Sequence, residues 1–174
     1  MKNIFLTGPR QVGKSTAIRK ALANFNNLDL RGFETLPVFE KEVLTGFILE
    51  SLNPADTYPQ PYVGRQKANG FWQAVPQTFE EFGVKILKEA LAAKPDLILM
   101  DELGFFESEA LNFQKQVLKC LASPIPVLGV IKPLSTPFLK AVRSSPGVLI
   151  LEINKENRED KYQELVKHLE EVLS

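Results

Sequence analysis

A short stretch near the amino terminus, residues 8–15, constrains this chain more than any other feature. It reads Gly-Pro-Arg-Gln-Val-Gly-Lys-Ser and matches the pattern G-x-x-x-x-G-K-[ST] at every specified position. The apolar run at residues 3–7 predicts a buried strand before it, and the apolar spacing in residues 14–25 predicts an amphipathic helix after it. A strand, a glycine-rich turn and a helix in this order predict a phosphate-binding loop at the start of an α/β domain.

Each specified position of the loop has a physical reason. Gly8 lets the chain turn sharply out of the strand, and Gly13 lets backbone amides approach phosphate oxygens without an intervening side chain. The amides and the dipole at the helix start favour an anion. We predict that Lys14 is a catalytic cation on the β- and γ-phosphates, that Ser15 binds Mg²⁺, and that Thr16 acts near the α-phosphate. The predicted nucleotide-binding residues are Gly8, Pro9, Arg10, Gln11, Val12, Gly13, Lys14, Ser15 and Thr16.

Two carboxylates follow a second apolar run. Residues 97–100 read Leu-Ile-Leu-Met and lead directly into Asp101 and Glu102. Ligands of open α/β sheets bind at the carboxyl ends of strands, so we expect this pair beside the phosphate-binding loop, as a Walker B motif. We predict that Asp101 binds Mg²⁺ and that the catalytic residue Glu102 orients or deprotonates a water aimed at the γ-phosphate. The alternatives are a turn cap for Asp101 and a solvated acid for Glu102.

The order of periodic segments along the chain is that of an α/β protein. Apolar runs at 127–131 and 148–153 predict two further buried strands. Apolar residues at helical spacing predict helices within 79–91, 111–121, 138–142 and 162–173. Strands that alternate with helices favour a mostly parallel sheet with helices on both faces. We therefore expect a single domain over residues 1–174.

Residues 31–75 interrupt this alternation. Residues 32–35 and 46–50 alternate apolar and polar positions around a charged turn, which predicts a small β-hairpin insertion. Residues 53–76 hold four prolines, two glycines and four aromatic residues, which predicts a long functional loop with a short edge strand near 71–75. Tyr62 and Trp72 are candidates for stacking on a base, although aromatic residues in a loop also anchor it to the domain.

Composition excludes several classes of function. The chain has 21 basic and 21 acidic residues among 174, and this neutrality argues against a nucleic-acid partner or an anionic membrane. A single cysteine, Cys120, and a single histidine, His168, exclude an internal disulfide and a cysteine-rich or two-histidine metal site. No segment has the ~20 consecutive apolar residues of a membrane span. No signal-peptide core precedes residue 8, and we expect a cytoplasmic protein.

Four motifs carry a resemblance to a known family. They are the run Phe-Leu-Thr-Gly-Pro-Arg-Gln-Val-Gly-Lys-Ser-Thr at 5–16, Gly-Phe-Glu-Thr at 32–35, Asp-Glu-Leu-Gly-Phe-Phe-Glu at 101–107 and Lys-Glu-Asn-Arg at 155–158. Over nearly its whole length the chain resembles the small thermophile-type P-loop nucleoside-triphosphatases, and the third motif is the most discriminating. Phe105 and Phe106 depart from the pattern, since the family often has lysine and methionine there.

The resemblance implies a RecA-like P-loop sheet and Mg²⁺-dependent hydrolysis of nucleoside triphosphates such as ATP and GTP, slow and tolerant of different bases. It also draws attention to Arg158, which we predict to contact the base, the ribose or the γ-phosphate. The alternative for Arg158 is an exposed residue at a helix start. Arg143 is a candidate internal arginine finger, although a surface arginine is the favoured interpretation.

Two other functions stay open from the sequence. A nucleotide or small-molecule kinase would use residues 53–75 to hold an acceptor and Glu102 to activate its hydroxyl group. A nucleotide-dependent switch or assembly ATPase would couple hydrolysis to a partner. The sequence predicts no particular oligomeric state.

Overall fold

The computed structural model of the chain describes residues 1–53 and 60–173. The strands are β1 (Asn3–Thr7), β2 (Leu30–Glu40), β3 (Val43–Ser51), β4 (Tyr62–Gln66), β5 (Trp72–Ala74), β6 (Leu97–Leu103), β7 (Val127–Ile131) and β8 (Val148–Glu152). The helices are α1 (Lys14–Leu22), α2 (Pro76–Thr78), α3 (Val84–Ala93), α4 (Leu111–Ala122), α5 (Pro137–Ser144) and α6 (Arg158–Leu173). A π-helical segment, Phe79–Gly83, joins α2 to α3.

Within the described residues, the strands form an eight-stranded sheet in the order β5-β4-β3-β2-β6-β7-β1-β8. Strands β2, β6, β7, β1 and β8 are parallel to one another, whereas β3, β4 and β5 continue the sheet in antiparallel pairs. β1 and β7 are buried along their whole length, and strands covered on both faces read as continuous apolar runs. The predicted α/β class, with a mostly parallel sheet flanked by helices, is confirmed.

The hairpin and the segment after it extend the sheet instead of standing apart from it. β2 and β3 pair as the predicted antiparallel hairpin, and β2 also pairs in parallel with β6. The prediction of a long loop was wrong for β4, which pairs with β3, while the predicted edge strand is present as β5. Prolines and Gly64 interrupt the alternation of apolar and polar residues that would have predicted β4 as a strand. Pro54, Tyr58 and Pro59 of the predicted loop lie outside the described residues.

Each face of the sheet carries its own apolar core. Helices α3, α4 and α5 cover one face, where Met100 and Phe113 are buried. Helices α1 and α6 cover the other, where Leu99 and Ile18 are buried. Successive strand residues point to opposite faces, so Asp101, which follows Met100, lies on the face of α1. In the part of the chain described above, no helix has the length and apolar character needed to cross a membrane.

Candidate active site

The glycine-rich loop joins the buried end of β1 to the first residue of α1, Lys14. The Lys14 ammonium group donates hydrogen bonds to the carbonyl oxygens of Gly8 at 2.9 Å and Pro9 at 2.6 Å, which closes the loop on itself. A Cβ atom on Gly8 would lie 2.0 Å from the Ile153 carbonyl oxygen, so only glycine fits against the chain that follows β8. Val12 is buried in the core under α1 and anchors the loop from below.

A cavity of about 650 Å³ opens above this loop, within the usual range for small-ligand sites. The loop and the start of α1 supply one wall: Gly8, Arg10, Gln11, Gly13, Lys14, Ser15 and Thr16. Other strands and their connections supply the rest: Phe47, Trp72, Glu102, Phe105, Phe106, Lys132, Pro133 and Leu134. Most residues predicted to bind nucleotide therefore share one cavity with Glu102.

The sheet register aligns acidic residues at the carboxyl edge. Asp101 on β6 pairs with Glu34 on β2 and with Val130 on β7. Burial raises the pKa of Asp101 to about 6, and the nearby carboxylates of Glu102 and Glu34 act in the same direction. A hydrogen bond from the Ser15 side chain opposes this shift, so the side chains of Ser15 and Asp101 lie next to each other. Their role as shared metal ligands stays a prediction.

Glu102 is paired with a lysine that the sequence analysis did not single out. The Lys132 ammonium nitrogen lies 2.7 Å from Glu102 Oε1, and each side chain is a little over a quarter exposed. Lys132 directly follows β7, and Asp101 and Glu102 lie near the carboxyl end of the neighbouring β6. The signal in the sequence was a single charged residue at the carboxyl end of a buried strand. Burial lowers the pKa of Lys14, and Lys132 adds to that shift while Glu102 and Asp101 oppose it.

The turn after β6 explains the spacing of the Asp-Glu-Leu-Gly-Phe-Phe-Glu motif. The backbone N–H of Gly104 donates to the buried carboxyl group of Glu107, which closes the turn. Burial raises the pKa of Glu107 to about 7. A Cβ atom on Gly104 would lie 2.7 Å from Lys132 Cδ, so the glycine leaves room for the lysine stem. The motif thus places Phe105 and Phe106 beside the cavity and Lys132 above Glu102.

Aromatic rings form the wall opposite the glycine-rich loop. The ring of Phe47 lies 5.2 Å from that of Trp72 and 5.7 Å from that of Phe106, measured between centroids. Phe105 lines the same cavity and is 54% exposed. Tyr62 is not among the described residues that line the cavity, and Arg65 stacks on it with the guanidinium carbon 3.9 Å from the ring centroid. Trp72 is therefore the better placed of the two aromatic candidates to contact a ligand.

Two predicted arginines lie apart from the cavity lining. Arg158 is exposed at the first residue of α6 and is not among the described residues that line the cavity. Arg143 donates hydrogen bonds to the carbonyl oxygens of Lys132 at 2.5 Å and Leu134 at 2.9 Å. Since its guanidinium group is committed to backbone oxygens, Arg143 holds the segment after β7 in place and is not aimed at phosphate.

The described side chains suit a metal that arrives with its substrate. Across residues 1–53 and 60–173, no group of three or more His, Cys, Asp or Glu side chains could hold a metal ion. Ser15 and Asp101 offer hard oxygen ligands, and Mg²⁺ is commonly bound by one or two protein oxygens together with phosphates and water. These two oxygen donors fit a hard divalent cation that phosphate and water oxygens would help to hold.

Comparison with known proteins gives a consistent family. The sequence model of the NTPase family matches residues 3–166. The nucleoside-triphosphatase THEP1 of Thermotoga petrophila is 32% identical over 94% of this chain and 90% of its own length. The cancer-related nucleoside-triphosphatase homolog of Mus musculus is 28% identical over 95% of both chains.

Solved structures agree on the fold. The crystal structure of THEP1 from Aquifex aeolicus matches with a TM-score of 0.75 and 24% identity, and the match covers 98% of this chain and 99% of that one. Because the family model spans most of the chain, the resemblance and the enzyme class expected from the motifs are both confirmed. The chain belongs to the NTPase family of P-loop nucleoside-triphosphatases.

Proposed function

We propose that the cavity binds a nucleoside 5′-triphosphate together with Mg²⁺ and that the chain hydrolyses it to the diphosphate and phosphate. The observation that carries the proposal is the convergence of Lys14, Ser15, Asp101 and Glu102 at one edge of the sheet. The names of the relatives, which are nucleoside-triphosphatases, support the same reaction.

The loop and Lys14 bind the phosphates. Backbone amides of residues 8–15 and the start of α1 favour an anion, and Lys14 exchanges the carbonyl oxygens of Gly8 and Pro9 for β- and γ-phosphate oxygens. Ser15 and Asp101 hold Mg²⁺, which supplies neutralisation of charge on the phosphate oxygens. Ionised Asp101 is required for this role, and a divalent cation beside its carboxylate favours the ionised form.

Glu102 prepares the attacking water. The water oxygen bonds to the γ-phosphorus as the bond from that phosphorus to the bridging oxygen breaks, and the electron pair stays on the diphosphate. The proton lost by the water passes to the Glu102 carboxylate and from there to the phosphate product. Glu102 lines the cavity and is partly exposed, so it can reach both a water and the solvent.

Broad base tolerance and slow turnover follow from what lines the cavity. Backbone amides contact the phosphates and aromatic rings offer a face to stack against, and every nucleoside triphosphate has phosphates and a π-face. Among the described arginines, Arg10 is the one that lines the cavity. It occupies one of the positions that the loop pattern leaves variable. Without an arginine fixed on the γ-phosphate, we expect slow hydrolysis.

Phosphate release tests the proposal directly. Purified protein would receive ATP, GTP, CTP or UTP with Mg²⁺, and free phosphate would be followed over time. We expect release from all four, loss of release with EDTA, and a fall of about 100-fold or more in Lys14→Ala and Glu102→Gln. Glu109→Gln, an exposed acid on the same turn as Glu107, is the matched control and should retain full activity. Unchanged release in Lys14→Ala and Glu102→Gln would contradict the assignment.

A kinase is the second candidate, and the aromatic wall is the observation that favours it. Phe47, Trp72 and Phe106 line the same cavity as Glu102, where an apolar acceptor with a hydroxyl group would fit. The same assay separates the two functions. If wild-type protein consumes ATP only when a metabolite is added, and forms a phosphorylated product without free phosphate, the kinase is supported over the hydrolase.

A further inference from the structure

Lys132 is a second lysine in the nucleotide cavity, distinct from the lysine of the glycine-rich loop. It lines the same cavity as Lys14. Its own ammonium lies 2.7 Å from Glu102 Oε1. The cavity is therefore lined by two cationic side chains and by the proposed general base. A polyanion such as a triphosphate would bind in the same cavity.

We propose that Lys132 is a catalytic residue that contacts the γ-phosphate and, by leaving Glu102, frees that carboxylate to accept a proton from water. The proposal rests on the hydrolysis proposed above and deepens it. A γ-phosphate group carries more negative charge than a single carboxylate, so it competes effectively for the lysine. The contact is specific to the triphosphate, since a diphosphate has no γ-phosphate group to offer.

The surroundings of Lys132 hold its side chain in position. Arg143 binds the Lys132 carbonyl oxygen at 2.5 Å, which fixes the backbone where the chain leaves β7. Gly104 packs against the lysine stem, and the ammonium lies 5.6 Å from the centroid of the Phe106 ring. Because its backbone and stem are held, Lys132 needs to move only its ammonium group from Glu102 to the γ-phosphate.

The ion pair between Lys132 and Glu102 determines the order of two events, binding of the γ-phosphate and proton transfer from water. While Lys132 binds Glu102, its ammonium group occupies Oε1, one of the two carboxylate oxygens that could accept the water proton. When the γ-phosphate takes the ammonium group, Glu102 can accept that proton as the water oxygen bonds to the γ-phosphorus and the bond to the bridging oxygen breaks. Lys132 then faces the negative charge on the phosphoryl oxygens throughout the step.

The chain offers a direct binding signal, because Trp72 is its single tryptophan and lines the cavity. The Trp72 ring lies 6.1 Å from that of Phe106, which also contacts Lys132. Titrations followed by Trp72 fluorescence would measure the affinity for ADP and for the β,γ-imido analogue of ATP, each with Mg²⁺. Phosphate release would give kcat and KM for ATP on the same samples.

Lys132→Met, Lys132→Arg and the control Lys140→Met form the variant set. Lys140 is an exposed residue on α5, which packs beside β8. In Lys132→Met we expect kcat to fall about 100-fold, and affinity for the imido analogue to fall about tenfold. Affinity for ADP should change by less than about twofold, since Lys132 contacts the phosphate that ADP lacks. Lys132→Arg keeps a cation and should recover part of kcat, while Lys140→Met should match wild type.

Three results would overturn the role of Lys132. They are an unchanged kcat in Lys132→Met, an equal loss of affinity for ADP and the imido analogue, and no recovery in Lys132→Arg when circular dichroism shows it folded. The failure of hydrolysis itself is a separate outcome, visible in wild-type protein. Even then, the comparison of ADP with the imido analogue reports whether Lys132 contacts a γ-phosphate.

Discussion

Glu107 shows how one buried acid shapes the active-site edge. Its carboxyl group accepts the Gly104 N–H, which lowers its pKa, but the group is almost completely buried, and burial raises the pKa more strongly. Burial is the main cause of the raised pKa of about 7, and Lys132 acts in the opposite direction. A single side chain therefore fixes the turn that carries Phe105 and Phe106, and it carries a pH-dependent part of the stability.

Replacing Glu107 should remove that pH dependence. The folded protein binds the Glu107 proton more tightly than the unfolded chain does, so this stabilisation is present below the ordinary pKa of a glutamate and is lost as pH rises through about 7. We expect the free energy of unfolding of wild type to fall between pH 5 and pH 8 by on the order of 2 kcal/mol relative to Glu107→Gln. Urea unfolding at both pH values measures it.

The matched control for this measurement is Glu109→Gln. Glu109 is exposed two residues further along the same turn, so its replacement should leave the pH dependence of wild type intact. A Glu107→Gln protein that shows the same fall in stability between the two pH values as wild type would contradict the explanation.

Among the elements, β2 links the hairpin to the parallel part of the sheet. It pairs with β3 on one side and with β6 on the other, which brings Glu34 beside Asp101. The close approach to β6 depends on Gly32, whose φ is +117° and where a Cβ atom would lie 2.0 Å from the Leu99 carbonyl oxygen. Gly32 thus allows the strand contact that brings the hairpin beside Asp101, the proposed metal ligand.

An alanine at position 32 should disrupt this pairing. Gly70 is the matched control, because its φ is +81° yet no atom lies within 4 Å of a Cβ there. We expect Gly70→Ala to lower the free energy of unfolding by about 1 kcal/mol through backbone strain, and Gly32→Ala to lower it by about 3 kcal/mol or more through strain and collision. Chemical unfolding would measure the loss in free energy of unfolding for each variant. Equal losses would show that the close approach of Gly32 to Leu99 is unimportant.

How well the sequence predicts an element depends on how far apart in sequence the interacting residues lie. Residues 3–7 and 97–100 were predictable as strands, because a strand covered on both faces is apolar at successive positions. The hairpin was predictable from local alternation, but its pairing with β6 was not, since parallel partners are distant in sequence. Lys132 was missed for the same reason: its partner Glu102 lies 30 positions away, and the motif that contains Glu102 does not include Lys132.

At the scale of the whole molecule, the sheet separates the site from a single thiol. Cys120 lies in the core beneath α4, on the opposite face from α1 and the glycine-rich loop. Burial raises the pKa of the Cys120 thiol to about 12, so it is protonated and inaccessible in the folded protein. Since the thiolate is the reactive species, labelling of Cys120 requires an opening of the core.

Nucleotide bound at the loop should therefore protect Cys120 from a thiol reagent. If the two faces unfold together, a ligand that binds only the folded state reduces the open fraction, and at ~100 times its Kd it lowers the labelling rate about 100-fold, equivalent to ~2.7 kcal/mol. The rate of labelling would be measured in mild denaturant with and without the imido analogue of ATP and Mg²⁺. Lys14→Ala should show little protection at the same concentration, because we expect loss of this cavity-lining cation to weaken binding of the analogue. If the analogue leaves the wild-type rate unchanged, α4 opens locally, and the two cores on opposite faces of the sheet do not form one cooperative unit.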